Sequence, residues 1–165
     1  MIQIVPLEQL NHRHVAKMAA GVFPYARAYV HFSYWAAKHR NKPLIKLGMR
    51  LSSIAALLDH WVAVNEHGDI LGTIGLYTYK KDAHEAVWMT WFCVSPSARG
   101  QGLGKKLIAH AAEQARAFGV PYFRLYTSTD ENEAAAQIVY EKNGFKLIDQ
   151  KKKLSWTKLY REKKL

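Results

Sequence analysis

Seven residues in the middle of the chain, Arg99-Gly100-Gln101-Gly102-Leu103-Gly104-Lys105, have types and spacing suited to binding chemistry. Three glycines in five residues let the backbone approach a ligand closely. The unpaired amides at the start of a helix, helped by the helix dipole, favour an anion such as a pyrophosphate. Spacing excludes the two familiar nucleotide loops. A dinucleotide fingerprint starting at Gly100 or Gly102 needs glycine at 105 or 107, where Lys105 and Leu107 stand, and a P-loop needs Ser or Thr where Lys106 follows Lys105. Cys93, the one cysteine, lies in an apolar run with no electropositive neighbour, so it reads as a small buried strand residue rather than a nucleophile. The eight histidines fall at no metal-ligand spacing, and no metal is expected.

The loop needs elements to hold it. Ala86 to Val94 is the strongest strand signal in the chain, and Leu103, Leu107, Ile108, Ala111, Ala112 and Ala115 recur at helical spacing after it, with Gly119 as a stop. Upstream, Trp61 to Val64 and Ile70 to Tyr79 are strands joined by short polar turns, so residues 61–94 predict a three-stranded antiparallel meander. Downstream, Tyr122 to Thr127 is a strand reached through the helix, which implies a right-handed crossover to a parallel neighbour. Asp130 with Glu133 can cap a second helix, Ala134 to Lys142, ended by Asn143-Gly144, and Phe145 to Leu154 and Trp156 to Tyr160 read as closing strands. Ile2 to Pro6 is a weak first strand. Residues 8–59 look mostly helical, broken near Pro24 and Pro43. The fold class is α/β: one mixed sheet with helices on both faces.

A chain of 165 residues with 49% apolar and 22% charged residues is one globular domain. No apolar run approaches the ~20 residues of a membrane span, no basic-then-apolar leader opens the chain, and the lone cysteine agrees with a reducing compartment; a cytoplasmic protein without membrane contact is expected. The formal net charge of +11 is uneven. Residues 1–60 carry 8 basic against 2 acidic side chains, 61–145 carry 8 against 9, and 146–165 carry 8 against 2. The segment bearing the glycine loop is therefore nearly neutral, and the excess points to an acceptor or partner instead. Lys151-Lys152-Lys153 and Arg161-Glu162-Lys163-Lys164 read as solvated strand edges. They carry no interleaved aromatic platform, so nucleic acid is not the expected partner; a homodimer through the last strands is.

The loop also satisfies R-x-x-G-x-G, as Arg99, Gly102 and Gly104, between a strand ending in Val-x-Pro and an amphipathic helix. One crossover downstream stands Tyr140-Glu141-Lys142-Asn143-Gly144-Phe145, a tyrosine followed by x-x-x-Gly-Phe. Together these motifs resemble the GNAT superfamily of acyl-CoA-dependent N-acetyltransferases. The likeness covers residues 61–154 and hardly reaches 1–60, the acceptor side in that family.

The resemblance implies a centrally splayed sheet in a single domain, 1–165, with acetyl-CoA as acyl donor and an amine as acceptor. Amides of Gln101 to Lys105 would hold the pyrophosphate with Gly100 and Arg99 beside them. Backbone groups around Cys93 and Val94 would meet the pantetheine arm and the acetyl carbonyl, and Tyr140 would act as general acid toward the departing thiolate. Two positions depart from the family pattern. The asparagine usually found seven residues before the tyrosine is Glu133 here, with Asn132 adjacent, and the strand glutamate that serves as base in many members is replaced at about Trp88. Glu85 and His84 are the nearest titratable substitutes. An acceptor of neutral or anionic character is expected from the basic residues 1–60, and a catalytically silent acyl-CoA sensor or docking module is the competing reading. Trp88 and Trp91, three apart on one strand, should face opposite ways.

Overall fold

The computed structural model describes residues 1–165. Seven strands form a single sheet: β1 (Gln3–Pro6), β2 (Ile54–Val64), β3 (Ile70–Tyr79), β4 (Ala86–Val94), β5 (Tyr122–Ser128), β6 (Lys146–Lys152) and β7 (Thr157–Lys164), in the order β1-β2-β3-β4-β5-β7-β6. Every neighbouring pair is antiparallel except β4 and β5, which the crossover makes parallel. The predicted mixed α/β architecture is therefore the observed one.

Helices cover both faces. On one, α4 (Leu103–Arg116) buries Leu103, Leu107, Ile108, Ala111, Ala112 and Ala115, the six positions picked out by periodicity, against Ala63, Ile74, Leu76, Val87 and Met89. The approach is close because β3 has glycine at 72: a methyl there would lie 2.9 Å from the Cys93 carbonyl oxygen and 3.0 Å from Leu107 Cδ1. Helix α5 (Ala134–Lys142) joins the same core through Tyr140. On the other face, α1 (His12–Val22), capped by Asn11 accepting from the Arg13 amide, and α2 (Arg27–Lys38) pack Val15, Ala16, Ala19, Val30 and Tyr34 on Val62, Val64 and Cys93. Helix α3 (Pro43–Leu51) starts on the proline, whose missing N–H costs nothing in a first turn.

Three sequence expectations change. The helical reading of residues 8–59 stops short, because Ile54 to His60 extends β2 by pairing with Gly75 to Tyr79. Ala-Ala-Leu-Leu there has good helix propensity, and cross-strand pairing outweighs it. Arg161 to Lys164 are not a solvated edge: β7 lies between β5 and β6, with Arg161 buried against Gln137 and Glu141 and Glu162 bound to Arg124. The exposed edge is β6. Finally, Trp88 and Trp91 face the same side. Thr73 pairs with Cys93 but Gly75 pairs with Thr90, so Trp91 and Phe92 together oppose Ile74, a bulge that resets the alternation. Trp91 has φ +47°, a left-handed backbone costing a non-glycine residue about 1–3 kcal/mol, held here by Phe23, Tyr29 and Tyr34 around its ring.

Candidate functional site

The parallel strands β4 and β5 pair only at Ala86, Val87 and Trp88 with Tyr122, Phe123 and Arg124. Beyond that both run on unpaired with each other, β4 to Val94 and β5 to Ser128, and a cleft of about 870 Å3 opens between them. This is the splay expected from the resemblance. Met89 to Val94 form one wall and Leu125 to Ser128 the other, with Ala135, Ala136, Val139 and Tyr140 of α5 behind and Val22, Phe23, Tyr25 and Tyr29 from the N-terminal region in front.

At one end of the cleft β4 turns through Pro96-Ser97-Ala98 into α4. Gly100 and Gly102 have φ of +76° and +74°, which turn the chain so that Gly102 becomes the helix N-cap in a left-handed conformation. The first helical amide to find a carbonyl is Lys106, which donates to Gly102. The amides of Gln101 to Lys105 are therefore left with no intrahelical partner. A methyl on Gly104 would sit 3.2 Å from Phe92 Cζ, so that glycine is set by closeness to β4. Arg99 bends back, its Nε donating to the Val94 carbonyl at 3.2 Å, and the Gln101 amide side chain donates to the Ser97 carbonyl. Leu103 is buried in the core and can offer only its backbone.

Tyr140 reaches the cleft from α5, its ring against Phe92 and Phe145. Its position is fixed by the turn that follows: the amides of Asn143 and Phe145 both donate to the Tyr140 carbonyl, and Gly144 takes φ +85°. Burial raises the pKa of its phenol, with Glu133 adding to the effect, so the hydroxyl stays protonated throughout the neutral range. Cys93 is buried, and burial pushes its thiol up to about 12, which makes the side chain inert; only its backbone can serve a ligand.

Of the residues anticipated from the sequence, Cys93, Val94, Arg99, Gly100, Asn132 and Tyr140 line the cleft, while Gln101, Gly102, Leu103, Gly104 and Lys105 form the loop and helix start at its end. Asn132 is held by Asp130, whose Oδ1 accepts from both its backbone and side-chain amides at 2.9 and 2.8 Å. Glu85 is elsewhere. It stands before β4 and binds Arg124 at 2.8 Å, in a cluster where Arg124 also meets Asp82 at 2.9 Å and Glu162 at 2.7 Å. The guanidinium lowers its pKa, the reverse of what a base near neutrality requires, and neither Glu85 nor His84 borders the cleft. The cationic side chains of residues 1–60 do not line it either; that segment contributes aromatic and aliphatic groups.

The sequence reading missed the outer part of the cleft. Glu133, read as a helix cap, instead reaches back to β5, accepting from Thr127 Oγ1 at 2.5 Å and the Ser128 amide at 2.9 Å, and takes the Tyr25 hydroxyl at 3.2 Å. Trp91, Tyr126, Trp156 and Lys158 complete that end. No sequence signal joins them, because they come from four separate segments.

Comparison with known proteins agrees with this architecture. The family model described as Acetyltransferase (GNAT) domain matches residues 57–147, more than half of the chain. The chain belongs to the GNAT acetyltransferase family. GCN5-related N-acetyltransferase 6, chloroplastic, of Arabidopsis thaliana is 39% identical over 57 residues, which are 34% of this chain and 19% of that protein; the chain thus spans about a fifth of that relative. Among solved structures, a GNAT-family protein of Desulfovibrio desulfuricans superposes with a TM-score of 0.71 at 17% identity over 99% of both chains. The PaiA N-acetyltransferase of Thermoplasma acidophilum, solved with coenzyme A, superposes with a TM-score of 0.64 at 20% identity over 100% of this chain and 99% of its own. At such identities the likeness is one of fold. No helix of this protein is long and apolar enough to cross a membrane.

Proposed function

We propose that this protein is a cytoplasmic N-acetyltransferase that moves the acetyl group of acetyl-CoA to a primary amine by direct attack in a ternary complex. The observation that carries the reading is the splay of β4 from β5, which opens a cleft lined by Tyr140 and bordered at one end by Arg99 and Gly100 of the glycine loop, whose following amides are unpaired. Coenzyme A suits that cleft. Its pyrophosphate matches the amides of Gln101 to Lys105 and the positive end of the α4 dipole, and its pantetheine arm has the unpaired edge of β4 from Met89 to Val94 to run along.

In the reaction the amine nitrogen attacks the thioester carbonyl. Backbone N–H groups near Cys93 and Val94 polarise that carbonyl in this reading. As the tetrahedral intermediate collapses the C–S bond breaks, and the Tyr140 phenol gives its proton to the departing sulfur. The proton lost by the amine leaves through water and restores the phenol. Because both reactants sit on one rigid sheet, proximity supplies much of the acceleration and no strong base is required.

The cleft's carboxylates, Asp130 and Glu133, are already hydrogen-bonded, and this favours a second reading as a silent acyl-CoA sensor. One measurement separates the two. Acetyl-CoA should bind by calorimetry and release thiol with at least one member of a broad amine panel. Binding with no thiol release leaves the sensor, and no binding removes both.

A further inference from the structure

The transferase reading leaves the acceptor unnamed, and the charges bordering the cleft bear on it. Of the chain's 24 Lys and Arg side chains, two reach the cleft, Arg99 at the loop and Lys158 near the start of β7. Arg99 is bound to the Val94 carbonyl. Lys158 has neither a hydrogen-bond acceptor nor a carboxylate within salt-bridge distance; its ammonium lies over the ring of Tyr126, 3.5 Å from the centroid, and 5.2 Å from that of Tyr160.

The cleft's two carboxylates are engaged with other partners, Glu133 with Tyr25, Thr127 and Ser128, and Asp130 Oδ1 with Asn132, and neither forms an ion pair with Lys158. Lys158 pairs with Ser128 across β7 and β5, so it stands where β5 has already parted from β4, on the face away from α4. Burial first, and then the ammonium groups of Lys153, Lys151 and Lys81, hold its pKa below the ordinary lysine value. A partly desolvated cation surrounded by cations gains most from an anionic ligand, and the same field repels a cationic one.

We propose that the acceptor is a small amine that also carries an anionic group, carboxylate or phosphate, and that Lys158 is the specificity residue that seats it. This rests on the transferase reading. The aromatic surfaces of Tyr126, Tyr29 and Trp91 then hold the body of the acceptor beside the thioester. The +11 charge has its functional share here, in one lysine of the C-terminal segment rather than in residues 1–60.

The test uses matched pairs that differ only in the anion: L-phenylalanine against L-phenylalaninamide, and O-phosphoethanolamine against ethanolamine. Wild-type kcat/KM should favour the anionic member of at least one pair by about tenfold or more, the size of one charge-assisted contact. Lys158→Met should reduce that ratio about tenfold, chiefly through KM, and Lys158→Arg should keep most of it; retained acetyl-CoA binding shows that each variant is folded. Titrating the same pairs into coenzyme A-loaded protein reads the preference without turnover. Equal or reversed preference in both pairs, or a ratio unmoved by Lys158→Met, overturns the inference while leaving the transferase intact, whereas failure to bind acetyl-CoA overturns the transferase. Salt-sensitive binding of a single-stranded oligonucleotide that Lys158→Met abolishes would assign these lysines to nucleic acid and also overturn it.

Discussion

The two faces of the sheet are built on different principles. On the α4 face the core is continuous and apolar, and the proposed donor site is backbone: glycines with positive φ, unpaired amides and a helix dipole. On the α1–α2 face the core gives way near the cleft to tyrosines, tryptophans and an ammonium without a counterion, and the proposed acceptor site is made of side chains from separate segments. A backbone site admits one shape of ligand whatever residues surround it, which suits a fixed acyl donor. A side-chain site can be respecified by single substitutions, which suits the proposed acceptor, since function is set by the site and not by the fold.

The contrast can be broken from either side. The largest effect is expected at the loop. Gly102→Glu with Gly104→Glu puts carboxylates over the amides and a Cβ where φ is +74°, and should weaken acetyl-CoA binding about a thousandfold, or about 4 kcal/mol, by calorimetry. A loss below tenfold would mean that side chains, not backbone, hold the donor.

Next comes a stability effect arising on the α1–α2 face. His60 is fully buried beside Gly75, where a methyl would lie 2.2 Å from its Nε2, and both ring nitrogens lack partners. Burial lowers its pKa from 6.5 to about 4. Between those values the unfolded chain binds the extra proton and the folded one does not, so stability is full above pH 6.5 and falls by about 3 kcal/mol as pH drops toward 4. His60→Leu should flatten that part of the thermal-stability profile; an unchanged slope would place the titration elsewhere.

The smallest of the three concerns chemistry. Tyr140→Phe should lower kcat about a hundredfold, about 2.7 kcal/mol, with acetyl-CoA affinity nearly unchanged. Equal losses in both would make Tyr140 a packing residue of the α4 face.

What could be read from the sequence follows the same division. The six buried positions of α4 and the meander of β2 to β4 were legible because hydrophobic periodicity is local. The loop was legible because a turn that exposes amides needs glycine at set spacing. Glu85 misled because a carboxylate next to a strand looks available until Arg124, 39 residues later in the chain, is brought against it. Lys158 drew no notice within the predicted strand Trp156 to Tyr160, since nothing within the segment 146–165 shows that β7 enters the sheet beside β5.

The sequence by itself determined the class of fold, the glycine loop at one end of the cleft and the tyrosine that overlooks it, for each depends on residues close together in the chain. The tertiary structure decided which way Trp91 faces, which carboxylates are already bound and which lysine stands unpaired at the cleft. Those outcomes depend on a one-residue bulge against β3 and on strand order across the sheet, and long-range pairing of this kind leaves no periodic trace in the residues that undergo it.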